Sequence, residues 1–305
     1  DLKEWTYTSS FGISGDQRLW ECPDIFQMEV EGSKETKWIL ITSIQKEGPN
    51  GGTATSYFVG DFDGGTFSAD NNRQQWLDYG TDNYAMVTWS DIPEKDGRRL
   101  ALGWMSNWQY AQSVPTQQWR SAMTLPRSLT LYQSDDDYYI RSNPVSELST
   151  IEGRSRVISG KIYTADEVIL EDTTHHLYKL DLRFNKPRGG VIELRYSNSK
   201  GEHISFGYDA SHQGYFIDRT SSGHSDFSEV FAARHVGAAN YNLDKVEMTV
   251  FLDQSSIELF ADGGRCVMTD IFFPTEPFSK MEVVVRDNYV QLEIGSISRL
   301  KSTWQ

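Results

Sequence analysis

Strict period-two hydrophobicity constrains the fold of this chain more than any other feature. Tyr178, Leu180, Leu182 and Phe184 alternate with Lys179, Asp181 and Arg183, and Val246, Met248, Val250 and Leu252 repeat the pattern, as do Met281, Val283 and Val285. Successive side chains of a strand point to opposite faces, so such runs describe antiparallel strands with one buried and one wet face. Asp262-Gly263-Gly264 and Ser199-Lys200-Gly201 separate them as turns do. Residues 155–305 are therefore expected to form a β-sandwich of about ten or more short strands.

The first 135 residues carry a different rhythm. Strand-like runs at Trp38–Ser43, Thr55–Gly60, Tyr84–Trp89, Leu100–Met105 and Ser128–Tyr132 are spaced further apart and separated by loops rich in Gly and Trp. That spacing fits four-stranded propeller blades of roughly 50 residues, of which 135 residues supply two to three. A propeller protects its edges by closing, typically with at least about four blades, so further blades are expected upstream. Between the two regions, 136–154 reads as a linker, with Asn143 capping a short helix that starts at Pro144. The acidic run Gln133-Ser134-Asp135-Asp136-Asp137 before it reads as a hairpin loop. The fold class is all-β, a partial propeller followed by a sandwich.

Charge narrows the partners. The 305 residues hold 29 Lys and Arg against 43 Asp and Glu, a formal net charge of −14. Such a surface is unsuited to nucleic acid or an anionic membrane and favours a neutral or basic ligand, although solubility alone is the blander explanation. No apolar run reaches the ~20 residues of a membrane helix. Cys22 and Cys266 match no metal or redox spacing, the six histidines form no zinc pattern, and no Gly-x-Ser-x-Gly elbow occurs. Neither a metal nor a cofactor is expected.

Three segments carry candidate chemistry. In Trp20-Glu21-Cys22-Pro23-Asp24 a carboxyl stands in a partly apolar setting that Pro23 makes rigid, as suits a general acid; a surface Glu at a turn is the plainer alternative. Asp78-Tyr79-Gly80-Thr81-Asp82-Asn83-Tyr84-Ala85 offers carboxylates and phenols that could hold sugar hydroxyls, or it is an ordinary polar turn. Gly103-Trp104-Met105-Ser106-Asn107-Trp108, running on to Trp119-Arg120, suggests an aromatic subsite wall, with Trp104 and Trp119 assigned to core packing. Gly48-Pro49-Asn50-Gly51-Gly52 lacks the Lys and Ser/Thr of a phosphate loop and reads as a mobile loop near the site.

Together these motifs resemble glycoside hydrolase family 32, the invertase, inulinase and levanase group. Trp20-Glu21-Cys22-Pro23-Asp24 is similar to the family's Glu-Cys-Pro motif, whose Glu is the acid/base. Tyr57-Phe58-Val59-Gly60-Asp61-Phe62-Asp63-Gly64 and Asp78 to Ala85 are similar to two further signatures. Trp104 to Trp108, with Pro115 and Arg120, resembles the aromatic loop, and Ser255 to Phe260 through Thr269 to Pro274 resembles the sandwich domain. The resemblance implies a five-bladed propeller with a funnel-shaped site, plus the sandwich, and no cofactor.

One departure bears on mechanism. The family's nucleophile lies in a Trp-Met-Asn-Asp-Pro-Asn-Gly-type motif and its transition-state stabiliser in an Arg-Asp-Pro motif, and neither occurs in these 305 residues. The opening Asp1-Leu2-Lys3-Glu4-Trp5 resembles the stretch just before the Glu-Cys-Pro strand, so the chain is expected to begin mid-propeller and to need the N-terminal part of the same propeller as partner. The resemblance implies a retaining two-carboxylate cleavage of sucrose, inulin or levan, with Glu21 as acid/base and Trp20, Asp82, Tyr84 and Trp108 holding substrate. With one carboxylate of the pair, the chain alone is expected to be nearly inactive, and a secreted, periplasmic or cell-surface location is implied. A non-catalytic glycan-binding module or inactive fragment would keep the aromatic contacts without the nucleophile. An arabinose- or xylose-directed propeller glycosidase fits the sandwich less well.

Overall fold

A computed structural model describes residues 3–187, 189–239, 241, 244–286 and 289–303. Asp1 and Leu2, which open the stretch compared above, lie outside the described residues. The N-terminal region forms two antiparallel sheets. The first holds β1 (Trp20–Glu29), β2 (Thr36–Ile44), β3 (Ala54–Phe62) and β4 (Phe67–Ala69) in sequence order, with β5 (Gln75–Trp76) also on β3. The second comprises β6 (Tyr84–Thr88), β7 (Arg99–Met105), β8 (Ala122–Met123), β9 (Arg127–Ser134) and β10 (Asp137–Pro144), ordered β10-β9-β7-β6 with β8 on β7. Meandering sheets of this kind are propeller blades. They pack face to face on one core in which Phe26, Ile39, Ile41 and Tyr57 meet Met86, Ala101, Leu129 and Leu131.

The rest is a β-sandwich. Its strands are β11 (Glu152–Val157), β12 (Lys161–Tyr163), β13 (Glu167–Glu171), β14 (Tyr178–Asn185), β15 (Val191–Ser197), β16 (His203–Asp209), β17 (Gly214–Ser221) and β18 (Arg234–Ala238). They continue with β19 (Lys245–Leu252), β20 (Ser256–Ala261), β21 (Cys266–Ile271), β22 (Lys280–Val285) and β23 (Val290–Leu300). Seven form the sheet β11-β23-β14-β19-β20-β21, with β12 on β23, and six form β13-β22-β15-β16-β17-β18. The alternation predicted at β14 is strict, with Tyr178, Leu180, Leu182 and Phe184 buried and the residues between them half-buried. Each inner face is apolar, and together they enclose one core.

Two expectations need adjustment. The boundary at 135 falls inside the β9–β10 hairpin, whose turn is the acidic run; β10 remains in the second blade through Pro144, and the sandwich begins at Glu152 instead of 155. The connecting helix is a single 3-10 segment, Ser146–Ile151, with Val145 at its N-cap. Asn143 does not cap it, because its side-chain amide donates to the Gly263 carbonyl of the sandwich at 2.9 Å. Leu148 and Ile151 of the connector pack with Phe251, Phe260 and Leu300 on the outer face of the seven-stranded sheet. Among the described residues no helix is long and apolar enough to cross a membrane.

Candidate active site

The first strands of the two blades, β1 and β6, bring Glu21 and Tyr84 together. Both strands are kinked immediately after the residue that matters. In β1 the pairing with β2 slips between Glu21 and Asp24, and Cys22 adopts φ 48°. In β6 the pairing with β7 slips between Tyr84 and Val87, and Ala85 adopts φ 50°. A bulge with a left-handed residue re-aims the neighbouring side chain, at an energetic cost for a residue other than Gly. Pro23, which has no N–H to give a ladder, stands inside the first bulge, where such a residue is tolerated.

The re-aimed side chains meet, and the Tyr84 hydroxyl donates a hydrogen bond to Glu21 Oε2. Tyr84 is buried and Glu21 half-buried, so the carboxyl keeps access to solvent. Burial, together with the bond to Glu21, pushes the Tyr84 phenol well above its ordinary value, so it remains a donor at any physiological pH. A second bond set pins the same seam: Asp24 Oδ2 accepts from the Thr88 N–H at 2.9 Å and hydroxyl at 2.7 Å. Sequence reasoning did not single out Thr88.

An aromatic wall borders the pair on one side. Trp104 packs against Tyr84 with ring centroids 6.3 Å apart, and Trp108 lies 4.9 Å from Trp104. Trp108 is 48% exposed, so part of its ring is open to solvent. Trp119, assigned from sequence to the core, is also exposed. Trp20 is committed differently. Its ring stacks on Phe58 at 5.5 Å and its indole N–H donates to Asp16 at 3.0 Å, so it serves as packing beneath the start of β1.

Asp82 does not share this cleft. It has no exposed surface: Oδ1 accepts from Tyr110 at 2.7 Å, and Oδ2 from Arg219 at 2.7 Å and the Ile271 N–H at 3.0 Å. No lone pair faces solvent, so the expectation that it binds sugar is corrected to a bond between blade and sandwich. The whole 78–84 segment splits this way. Tyr79 N–H donates to Val267 O at 2.7 Å and Asp82 N–H to Thr269 O at 3.0 Å, which covers the edge of β21. Asp78 accepts from the Thr269 N–H and hydroxyl and from Arg127, whose other amino group reaches Glu258 at 2.8 Å. Thr81 binds Asp270, which pairs with His235. Burial alone would raise the Asp270 carboxyl, but His235 and Arg219 hold it below its ordinary value.

The Gly48–Gly52 loop is likewise a clasp and not a free loop. Asn50 donates to Tyr79 O at 2.6 Å and Val236 O at 3.0 Å and accepts from the Val236 N–H. Arg127 and Arg219 were missed from sequence, yet a signal existed. Arg127 shares its strand face with Leu129 and Leu131, and Arg219 with Tyr215 and Ile217, all of them buried. A charge at an inward register position demands a buried partner. Among the described residues no group of three His, Cys, Asp or Glu side chains could hold a metal ion.

Residues 1–144 match the family model "Glycosyl hydrolases family 32 N-terminal domain", and residues 147–299 match "Glycosyl hydrolases family 32 C terminal". A levanase of Bacillus subtilis is 37% identical over 313 residues, covering 100% of this chain and 46% of its own length. An extracellular exo-inulinase of Aspergillus niger is 33% identical over 319 residues, covering 100% and 59%. The crystal structure of exo-inulinase from Aspergillus awamori superimposes with a TM-score of 0.90 at 29% identity, over 100% of this chain and 61% of that one. A β-fructofuranosidase of Schwanniomyces occidentalis complexed with fructosyl-erythritol gives 0.79 at 26% identity, over 93% and 60%. The chain thus spans 46–59% of the length of these curated relatives, and it belongs to glycosyl hydrolase family 32.

Proposed function

We propose that this family 32 chain supplies the acid/base half of a fructan- or sucrose-cleaving site working by a retaining, two-carboxylate mechanism. Glu21 protonates the departing sugar oxygen and, in the second step, takes the proton of the attacking water. The Asp nucleophile that forms the fructosyl intermediate is absent from these 305 residues. It comes with the N-terminal part of the same propeller, and the chain alone is nearly inactive. Trp108 stacks on a sugar ring, and Tyr84 orients the Glu21 carboxyl. Trp20 supports the strand from below.

The observation that carries this reading is the Glu21–Tyr84 hydrogen bond at two bulges beside an exposed Trp108. A binding module would profit from Trp108 but has no use for a half-buried carboxyl held in one orientation. The levanase and the extracellular exo-inulinase among the relatives support fructan as substrate and secretion as location.

The test is Glu21→Ala in a polypeptide that also carries the nucleophile segment. Turnover of sucrose or fructan should fall roughly 10²–10⁴-fold. An activated aryl fructoside should lose much less in its first step, and azide should accelerate release of the intermediate. Equal losses on both substrates with no azide response would remove Glu21 from the chemistry.

A further inference from the structure

Among the contacts that join the β-sandwich to the loop carrying Tyr84, one buried side chain supplies a cation. Arg219, on β17, has no exposed surface and donates to Asp82 Oδ2 at 2.7 Å, to the Tyr110 hydroxyl at 3.1 Å and to the carbonyls of Phe231 at 2.6 Å and Ile271 at 3.1 Å. The Phe231 ring lies 3.9 Å from the guanidinium carbon. Arginine's planar fork can satisfy several acceptors at once, and here it ties two sandwich carbonyls to a blade carboxylate.

The carboxylate it holds is close to the acid. Only Asn83, 1% exposed, separates Asp82 from Tyr84, and the left-handed Ala85 follows. The Asn83 carbonyl is itself held by the Thr55 hydroxyl. The Asn83 side-chain amide also donates to Asp78 at 3.1 Å, so this short buried segment has little slack and the position of Asp82 sets that of Tyr84. Without the guanidinium, Asp82 would keep only neutral donors for a buried charge. Relief would come from admitting water or moving toward solvent, and either displaces the loop.

We propose that Arg219 is a positioning residue for Glu21: by holding Asp82 it fixes the loop on which Tyr84 meets the carboxyl, and so the sandwich takes part in the acid site. The catalytic meaning of this coupling rests on the role given to Glu21 above; the coupling itself does not.

The experiment labels the chain with [13Cζ]tyrosine and assigns the Tyr84 signal by its loss in Tyr84→Phe. Followed as the solution is acidified from neutral pH, that signal should show an inflection that Glu21→Gln abolishes. Arg219→Lys keeps a cation but cannot span one carboxylate and two carbonyls, and should cut the amplitude by about half or more. Tyr110→Phe, which removes one hydroxyl from the latch, should give a smaller loss in the same direction.

A purely structural Arg219 would lower the unfolding temperature and leave the inflection at full amplitude, and that result in folded Arg219→Lys overturns the proposal. Should Arg219→Lys fail to fold, Tyr110→Phe decides alone, with full amplitude overturning the proposal and a loss supporting it. Because contact and not turnover is read, failure of the hydrolase reading would leave this result standing.

Discussion

The Tyr84 hydroxyl of one blade donates a hydrogen bond to the Glu21 carboxylate of the other, across the seam where β6 lies against β1. The register slips after each, at Cys22 and Ala85, turn them toward a common point. The Glu21 carboxyl is therefore oriented by backbone geometry and, among the described residues, held by one phenol, which makes the phenol testable.

Tyr84→Phe keeps the ring against Trp104 and removes only the donor. A hydrogen bond to a charged group contributes about 1.5–3 kcal/mol, so turnover of a substrate with a poor leaving group should fall roughly tenfold or more. An aryl fructoside, which needs little proton donation, should fall less. Parallel losses on the two substrates, measured in a polypeptide carrying the nucleophile, would show that Tyr84 does not act through the acid.

Gly80 is fixed by close approach. A Cβ there would lie 2.1 Å from the Thr269 carbonyl oxygen and 2.2 Å from its nitrogen, both backbone atoms of β21 that cannot swing aside. Gly80→Ala should cost about 1–3 kcal/mol or more by forcing the 78–84 loop off the sandwich. The expected signature is a thermal transition split in two, with faster proteolysis across the 145–151 connector. A melt superimposable on the parent would show that the two units dock without this contact.

Much of this was readable from residue types, and the limits have a physical cause. Period-two alternation is a local property, so β14, β19 and the sandwich were visible at once, as was the aromatic loop at Trp108. Bulges are not local in that sense, because they depend on the partner strand; nothing in Glu-Cys-Pro alone states that Cys22 turns left-handed. Asp82 was misread for a related reason. A carboxylate flanked by Thr and Asn beside a Gly looks like a solvated sugar ligand until the partner, Arg219, is found 137 residues away. The acidic run was read as a hairpin loop, and Asp135 at φ 52° does close the β9–β10 hairpin; the boundary at 135 was misplaced because the returning strand β10 was counted with the linker.

The sandwich should fold alone but not stay alone. Residues 152–305 contain an apolar core drawn from both sheets, so the fragment should unfold cooperatively. Removing the blades bares β21, whose edge is otherwise covered by the 79–82 backbone. An uncovered edge strand recruits another, so sedimentation should show concentration-dependent self-association that the 305-residue chain does not show through that edge. Thr269→Lys, which places a charge on that edge, should suppress it. A fragment that stays monomeric at all concentrations would mean that the blade loop is not what protects β21.

The last prediction concerns Arg127, which has no exposed surface and joins Asp78 to Glu258 at 2.8 Å each. Arg127→Met would leave two buried carboxyls without their cation, and breaking such a pair costs about 3–5 kcal/mol. Asp78 would be cushioned by the Thr269 and Gly80 N–H groups, whereas Glu258 would retain, among the described residues, only the Leu125 N–H. Glu258 should therefore govern the pH dependence. Burial already raises its carboxyl above the ordinary value, with Arg127 opposing, and loss of the cation raises it further. A carboxyl whose folded pKa exceeds its unfolded value, about 4.3 for Glu, favours the fold below that pH and loses this contribution as pH rises through the folded pKa. The deficit of Arg127→Met in urea unfolding should thus be smaller near pH 4 than near pH 8, and adding Glu258→Gln should flatten the difference. A deficit independent of pH would place the cost in packing around Phe260, which the guanidinium also overlies, and not in the stranded carboxyl.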